Sequence, residues 1–178
     1  MKEVGGMKTF QVAGTAIINA SAKVVYDIIA DYHNGHPNIV PKRYFSDIAV
    51  EKGGWGAGTT IRFKMHVFGR TQDFRAAITE PDPGRVLVET NYEEFGGAVT
   101  TFTVDSINEG NQTRVTISTD LRPTTRLVPL ERAFTTWVLR RVYAEELKML
   151  ARLALEENWL KGKGERGREE GVVAQQGS

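Results

Sequence analysis

The chain has 178 residues, of which 40% are hydrophobic and 25% charged, and it carries a formal net charge of +1. This length predicts one domain with a sizeable core, and a charge so close to zero excludes a general attraction to nucleic acid or to a membrane surface. The absence of cysteine excludes disulfides, thiolate metal ligands and a cysteine nucleophile. No apolar run is long enough to span a bilayer and residues 1–10 lack a signal-peptide core, so we expect a cytoplasmic protein.

The chain begins with a predicted strand and a short helix. The strand covers residues 10–18, where small side chains predict close packing. Asn19 or Ser21 can cap the following helix, because a short side-chain oxygen accepts from free backbone N–H groups. The segment 31–41, DYHNGHPNIVP, is rich in turn-forming residues and has room for another helical turn after Pro37.

Further strands follow, separated by turns that contain glycine or proline. They cover residues 44–52, 59–68, 71–79 and 85–92, a run containing Phe102 and Val104, and a run that ends near Asp120. The clearest alternation lies in 59–68, where apolar residues take one face and Arg62, Lys64 and His66 take the other. This period of two predicts a half-buried strand with a solvated His66 on its outer face.

A long amphipathic helix, from about residue 130 to residue 159, follows the strands. Its apolar stripe must be buried, and the concave face of the sheet is the available surface. Residues 161–178 are rich in glycine, glutamine and mixed charge without periodicity, and we predict a disordered tail there. The predicted folded domain is therefore 7–160.

These elements predict an α+β fold, in which a curved seven-stranded antiparallel sheet wraps around a long C-terminal helix, with one or two short helices between the first two strands. Five segments are also typical of a known family: 17–27 (IINASAKVVYD), 31–41 (DYHNGHPNIVP), 55–59 (WGAGT), 81–85 (PDPGR) and 112–116 (QTRVT). Because these five segments lie at the corresponding places along the chain, the sequence resembles polyketide cyclase/dehydrase-type proteins of the START-like (SRPBCC) superfamily. The resemblance implies the helix-grip fold. That superfamily includes enzymes, carriers of hydrophobic ligands and accessory proteins, so the fold does not settle the function.

The resemblance implies a cavity between the sheet and the long helix, and the small inward residues Ala76 and Thr100 leave space for one. A filled core is the alternative, because side-chain volume decides between the two. An apolar cavity with few polar groups suits a lipid, an aromatic or a polyketide-like molecule. The predicted ligand-binding residues are Trp55, Phe63, Met65, Phe74, Val88, Thr100, Phe102, Ile117, Phe134, Trp137 and Arg141.

Arg141 is the most informative polar residue of the long helix. It lies four residues beyond Trp137, on the same side as Phe134. A guanidinium there can bind a ligand carboxylate or enolate, or a developing oxyanion, through directed hydrogen bonds. The alternative, which the spacing slightly favours, is an ion pair with Glu145 four residues further on.

Asp31, His33 and His36 form an acid–histidine cluster in the turn-rich segment. The spacing matches no established metal site, and we predict no metal. His33 or His36 is a better candidate for a general base at the cavity mouth, because histidine titrates near neutrality. Further polar contacts to a ligand are expected from Tyr26, Tyr32, Gln72, Thr90 and Thr119, although a one-residue error in strand phase reverses the face of a side chain.

Two further features have structural interpretations. The glycine-rich segment 53–58 leads into a strand instead of a helix N-terminus, so we predict a hairpin turn and no phosphate site. Trp55 at its tip either covers the cavity as a lid or caps the edge of the core. Arginines near and on the last helix predict a solvated basic face, with docking of an acidic partner as the alternative. They are Arg122, Arg126, Arg132, Arg140 and Arg141.

Three functions follow from these observations. The first is binding of a small hydrophobic molecule, which needs only the cavity. The second is polyketide cyclase or dehydrase catalysis, which also needs groups that move protons, with Arg141, His36 and Tyr32 as weak candidates. The third is an accessory role through a protein partner. We predict no cofactor, no nucleic acid partner and no stable insertion into a membrane.

Overall fold

The computed structural model describes residues 3–4, 7–67, 69–95, 97–123 and 128–175, with side chains described at 9–67, 69–94, 97–123 and 129–156. The strands are β1 (Glu3–Val4), β2 (Met7–Lys8), β3 (Phe10–Ile18), β4 (Phe45–Lys52), β5 (Thr60–Val67), β6 (Arg70–Asp82), β7 (Val86–Asn91), β8 (Val99–Ile107) and β9 (Gln112–Leu121). The α-helices are α1 (Ala22–Ala30) and α2 (Val128–Gln175), and short 3-10 turns cover His36–Asn38, Glu93–Phe95 and Asn108–Gly110.

Strands β3 to β9 form one antiparallel sheet in the order β3-β9-β8-β7-β6-β5-β4. Each step joins strands that are consecutive in sequence, except that β3 pairs with the last strand, β9. The predicted seven-stranded sheet with a long C-terminal helix is confirmed. Strands β1 and β2 pair only with each other, outside this sheet. Strand β6 continues past its predicted end at residue 79 to Asp82, with a register shift against β7 that accommodates Pro81.

Helix α1 begins where Ser21 caps it. The Ser21 side chain accepts a hydrogen bond from the backbone N–H of Val24 at 3.4 Å, so Ser21 is the cap among the two predicted candidates. Asn19 instead accepts from the side chain of Gln112 at 2.6 Å. The helix buries one side in the core, as its apolar spacing predicts.

The chain then turns back toward the core through Asp31. Oδ1 of Asp31 accepts from the backbone N–H groups of His33 and Asn34 at 2.9 and 3.0 Å, which is a local turn held by an aspartate side chain. The 3-10 turn His36–Asn38 follows and contains Pro37. His36 is 4% exposed, so this turn inserts its imidazole into the interior.

Helix α2 packs along β3, and Gly14 allows the close approach. A Cβ atom at Gly14 would lie 3.0 Å from Cβ of Tyr143, so a larger residue there would hold the helix away from the sheet. The buried side of α2 includes Val142, Leu147 and Leu150. The helix extends past residue 159, where the sequence predicts its end, and is helical through the predicted disordered segment as far as Gln175. The domain boundary at residue 160 stays a prediction.

No helix in the described ranges is both long enough and apolar enough to cross a membrane.

Candidate ligand cavity

A cavity of about 160 Å³ lies between the concave face of the sheet and helix α2. Most of its wall is apolar, with polar groups gathered from β7, β8, β9, α2 and the turn after α1. The wall consists of His36, Val40, Phe45, Ile48, Ile61, Phe63, Met65, Phe74, Glu89, Asn91, Ala98, Thr100, Phe102, Thr119, Leu121, Leu139, Val142, Tyr143 and Glu146. The space between the sheet and α2 is therefore not completely filled by side chains.

Three phenylalanines from neighbouring strands line the apolar part of the cavity. Phe63 and Phe74 face each other across the β5–β6 ladder, with stacked rings whose centroids are 5.3 Å apart. Phe45 on β4 lies 5.9 Å from Phe63 in a tilted arrangement. Aromatic rings in such contacts form a rigid apolar surface, which is suited to a flat or chain-like apolar guest.

Glu89 is the centre of the first polar group in the cavity. Its Oε1 accepts a hydrogen bond of 2.5 Å from the hydroxyl of Tyr32, and it lies 3.5 Å from Nε2 of His36. The rings of Tyr32 and His36 are stacked, with centroids 4.6 Å apart. Burial, followed by the charge and hydrogen bond of Glu89, raises the pKa of Tyr32 well above its usual range, so Tyr32 is a hydrogen-bond donor and not a base at neutral pH.

The orientation of His36 follows from its backbone contact. Nδ1 lies 2.9 Å from the carbonyl oxygen of Ile29, and because a carbonyl only accepts, Nδ1 must carry a proton. Nε2 then faces the carboxylate of Glu89. His36 and Glu89 therefore form a histidine–carboxylate pair at the cavity wall, an arrangement that general acid–base catalysis uses.

Glu146 is the second carboxyl group in the wall, and it lies on α2. The residue is only 5% exposed. Burial, and then the negative charge of Glu89, raise its pKa to about 8. No hydrogen bond or ion pair to the described side chains lowers this value, so Glu146 is an acid that lacks a partner within the described part of the chain.

A third polar group consists of hydroxyls. Tyr143 donates to Oγ1 of Thr119 at 2.5 Å, and the Thr119 and Thr100 hydroxyls are 2.8 Å apart. Burial raises the pKa of Tyr143. These three residues line the cavity with satisfied hydroxyls, so they offer polar surface to a ligand without carrying charge.

The cavity wall contains part of the predicted ligand-binding set: Phe63, Met65, Phe74, Thr100 and Phe102. Ile117 is fully buried opposite Phe102 in the core, outside the cavity wall. Val88 lies between Leu87 and Glu89, the inward-facing residues of β7. Because side chains alternate along a strand, Val88 points to the opposite face, and its inward assignment was one residue out of phase.

Trp55 is 56% exposed and lies away from the cavity. Its loop is bonded to the end of α1: the N–H of Tyr32 donates to Gly54, and the N–H of Gly56 donates to Ala30, each at 2.9 Å. Trp55 lines a separate surface depression beside α1 that also contains Asp31. The predicted hairpin turn is therefore present, but its tryptophan does not cover the cavity described above.

The first turns of α2 hold the remaining predicted residues. Phe134 and Trp137 are 45% and 48% exposed, and Phe134 lines an open groove that shares Met65 and Phe74 with the cavity. The exposed guanidinium of Arg141 lies 4.2 Å from the ring centroid of Trp137. Glu145, the predicted alternative partner of Arg141, is paired with Arg43 instead. The ligand-binding role of Arg141 stays a prediction.

The other polar candidates are distributed over the molecule. Of the two histidines in the turn-rich segment, only His36 lines the cavity, while the imidazole of His33 lies against Gly54. His66 contacts the hydroxyls of Ser46 and Thr71 at 2.7 and 2.9 Å, so it has partners on the outer face. Among the described residues, no group of acidic and histidine side chains could hold a metal ion.

Tyr26 and Gln72, predicted as ligand contacts, also lie outside this cavity. Tyr26 donates to Glu80, which in turn accepts from the backbone of Ala57, and Gln72 lines the open groove. Thr90 is exposed. Tyr32 is not in the wall but contacts two wall residues, Glu89 and His36, and Thr119 is in the wall.

Three functional candidates were not predicted, namely Glu89, Glu146 and Tyr143. Glu146 falls four residues after Val142 and seven after Leu139, on the apolar stripe of α2. Glu89 falls two residues after Leu87 on a strand. In both cases the sequence signal is an acidic residue at a position where the spacing predicts a buried apolar one. Such a residue indicates a functional site, because charged residues are rarely buried without a role.

The sheet, the long helix and the cavity between them are the arrangement of the helix-grip fold. A family described as polyketide cyclase / dehydrase and lipid transport matches residues 9–155, and the chain belongs to this family. No curated protein matches the sequence at a significant level.

Solved structures of other proteins have the same fold. The NMR structure of the KanY protein is 25% identical, with a TM-score of 0.71 over 83% of this chain and 99% of that chain. The Zhui aromatase/cyclase from a Streptomyces species is 17% identical, with a TM-score of 0.68 over 83% of this chain and 94% of that one. A START superfamily protein from Mycobacterium smegmatis is 17% identical, with a TM-score of 0.57 over the same shares, 83% and 94%. The latter two similarities show the fold alone.

Proposed function

We propose that this protein binds a small, mostly apolar molecule in the cavity between the sheet and α2. The observation that carries the proposal is the cavity itself, with its phenylalanine wall and a few polar groups at one side. Binding sites for small molecules have this composition, because apolar surface supplies affinity and a few polar groups fix orientation. The family described as polyketide cyclase / dehydrase and lipid transport supports the same function.

The volume indicates the size of the guest. An apolar cavity of about 150 Å³ accommodates one benzene ring in an engineered protein, and the present cavity has about 160 Å³. The open groove beside Phe134 adjoins it through Met65 and Phe74. A guest with one ring or a short chain therefore fits inside, and a longer one would extend into the groove.

Two measurements test this function. Native mass spectrometry of the protein purified from its host would detect a co-purified small molecule. NMR titration with toluene and with 2-phenylethanol would detect probe binding through shifts of the Phe63 and Phe102 resonances. We expect binding of at least one probe, with the largest shifts at the cavity wall.

A matched pair of variants locates the bound probe. Ala98 lines the cavity and Ala144 is exposed on α2. Ala98→Phe places a ring in the cavity and should abolish probe binding, whereas Ala144→Phe should leave it unchanged. Absence of any probe binding or co-purified molecule, or equal binding by both variants, would overturn the proposal.

A second candidate function is acid–base catalysis on the bound molecule, as in a polyketide cyclase or dehydrase. The observation that favours it is the 3.5 Å contact between Nε2 of His36 and Glu89 at the cavity wall, where Tyr32 donates a hydrogen bond to the same carboxyl oxygen. A positioned histidine–carboxylate pair can remove a proton beside a carbonyl group and return it elsewhere.

Turnover of a poly-β-keto mimic tests this candidate. Glu89→Gln keeps the shape of the side chain but removes its charge, and it should lower the rate by about a hundredfold or more. Glu156→Gln, on the exposed side of α2, is the matched control and should retain the wild-type rate. Probe binding without any turnover would exclude catalysis on this substrate and leave the binding function intact.

A further inference from the structure

We infer that the cavity selects a molecule whose polar end is a protonated amine, with Glu146 as its acceptor and Glu89 as the second negative group. This inference rests on the proposed binding function and adds the chemical class of the ligand. It depends on the charged groups in the cavity wall and on the lack of a partner for Glu146 among the described side chains. It also depends on the proton that Glu146 would release when an amine binds.

The cavity wall is acidic. Glu89 enters it from β7 and Glu146 from α2, and none of the described wall residues is a lysine or an arginine. His36 is the one basic side chain in this wall, and its Nε2 is directed at Glu89. The negative charge of Glu89 attracts a cation, Glu146 adds to this attraction once it is ionised, and the described wall offers no lysine or arginine to pair with a carboxylate or a phosphate ligand.

The carboxyl group of Glu146 is available to a ligand in the cavity. It is 5% exposed and faces the cavity. Among the described side chains it has neither a hydrogen-bond donor nor a cation. Glu89, by contrast, already accepts from Tyr32 and faces His36. A ligand ammonium would supply Glu146 with both a donor and a positive charge, which an alcohol or an amide group would supply only in part.

The remaining groups around Glu146 do not replace such a cation. Tyr143, one turn earlier on α2, donates its hydroxyl to Thr119. Tyr32, from the turn after α1, donates to Glu89. Both tyrosines have a raised pKa and stay neutral. The ionisable side chains that face the site besides these tyrosines are Glu146, Glu89 and His36.

Binding of an ammonium would be coupled to proton release. In the empty protein Glu146 holds its proton up to about pH 8. An ammonium ion stabilises the carboxylate form, so its binding expels that proton into solvent. The affinity for an amine should therefore rise with pH by up to about tenfold for each unit below the pKa of Glu146. A neutral ligand of the same shape should show no such rise.

The experiment compares 2-phenylethylamine with 2-phenylethanol by calorimetric titration in two buffers of different protonation enthalpy. The amine stays protonated over this range, since its pKa is close to that of a lysine side chain, about 10.4. We expect the wild-type protein to bind the amine at least about tenfold more tightly than the alcohol near pH 8 and to release protons with the amine only. Glu146→Gln should abolish both the preference and the release while it keeps the affinity for the alcohol, and Glu156→Gln should behave as wild type.

The outcomes separate the two proposals. Binding of the alcohol with equal or weaker binding of the amine would overturn the amine assignment and leave the binding function standing. A preference for the amine that persists in Glu146→Gln would overturn the role of Glu146. Absence of binding by both probes would overturn both proposals. Thermal unfolding of Glu146→Gln checks that the variant is folded before the comparison is made.

Discussion

Tyr32 and Glu89 are joined by a hydrogen bond of 2.5 Å, in which the phenol donates to Oε1 of the carboxylate. The bond connects the turn after α1 to the middle of the sheet, between residues that are 57 positions apart in the sequence. It holds the only acid of β7 in place beside His36. The polar end of the cavity therefore depends on a long-range contact made by a residue that is itself 1% exposed.

We expect Tyr32→Phe to destabilise the protein, because the substitution removes the donor and leaves Glu89 with an unsatisfied oxygen. Loss of one partner of a hydrogen bond to a buried charged group costs about 1–3 kcal/mol. Chemical denaturation should show this decrease in the free energy of unfolding. Tyr92→Phe is the matched control, because Tyr92 is 37% exposed, and it should change the stability by less than about 0.5 kcal/mol. Equal stability of both variants would contradict the importance of the Tyr32–Glu89 bond.

Glu146 should make stability depend on pH over a defined range. The unfolded chain releases this proton near the ordinary pKa of 4.5, whereas the folded protein keeps it to about 8. Between these values the folded state binds more protons than the unfolded state, so the contribution of Glu146 to stability falls as pH rises. The contribution is complete below the lower value and has disappeared above the higher one, a decrease on the order of 5 kcal/mol.

The difference between the wild-type protein and Glu146→Gln isolates this effect from the other titrating groups. Denaturant unfolding measured across the range should show the variant gaining stability relative to wild type as pH rises through it. The Glu156→Gln variant should give a curve parallel to that of the wild type, since its carboxyl is exposed. A difference between wild type and Glu146→Gln that does not change with pH would refute the raised pKa of Glu146.

Periodicity was sufficient to predict the sheet and both helices. The alternation of apolar residues in β5, for example, placed Phe63 and Met65 on the inward face where the cavity lies. The same method failed at Val88, because β7 has apolar residues at three consecutive positions and its phase cannot be read from them.

The polar part of the site was less accessible to sequence reasoning. Arg141 and the histidines have recognisable chemistry in the sequence, whereas Glu146 is one of the many charged residues of α2. Its burial depends on how α2 packs against the sheet, a tertiary property that includes the close approach of Tyr143 to Gly14. Likewise, the hydrogen bond between Tyr32 and Glu89 follows from the path of the chain, which local spacing does not encode.

The contact at Gly14 leads to a prediction about helix position. Because a Cβ atom there would lie 3.0 Å from Cβ of Tyr143, Gly14→Val should push α2 from β3 and destabilise the protein by about 1–3 kcal/mol. Ala13→Val, on the exposed face of the same strand, should have little effect. Thermal denaturation of both variants makes the comparison, and equal melting temperatures would show that α2 adjusts without loss.

Arg141 provides the last test, because its guanidinium lies over the ring of Trp137 on the exposed side of α2 and not in the cavity wall. We expect Arg141→Ala to leave the affinity for 2-phenylethanol within about twofold of wild type, a difference below about 0.5 kcal/mol. Val142→Ala, one residue further on, enlarges the cavity itself and should change the affinity by more than that. NMR titration of the two variants measures both effects. A tenfold loss in Arg141→Ala would instead mean that the bound ligand extends along the groove beside Phe134 and contacts the guanidinium, as the sequence alone suggested.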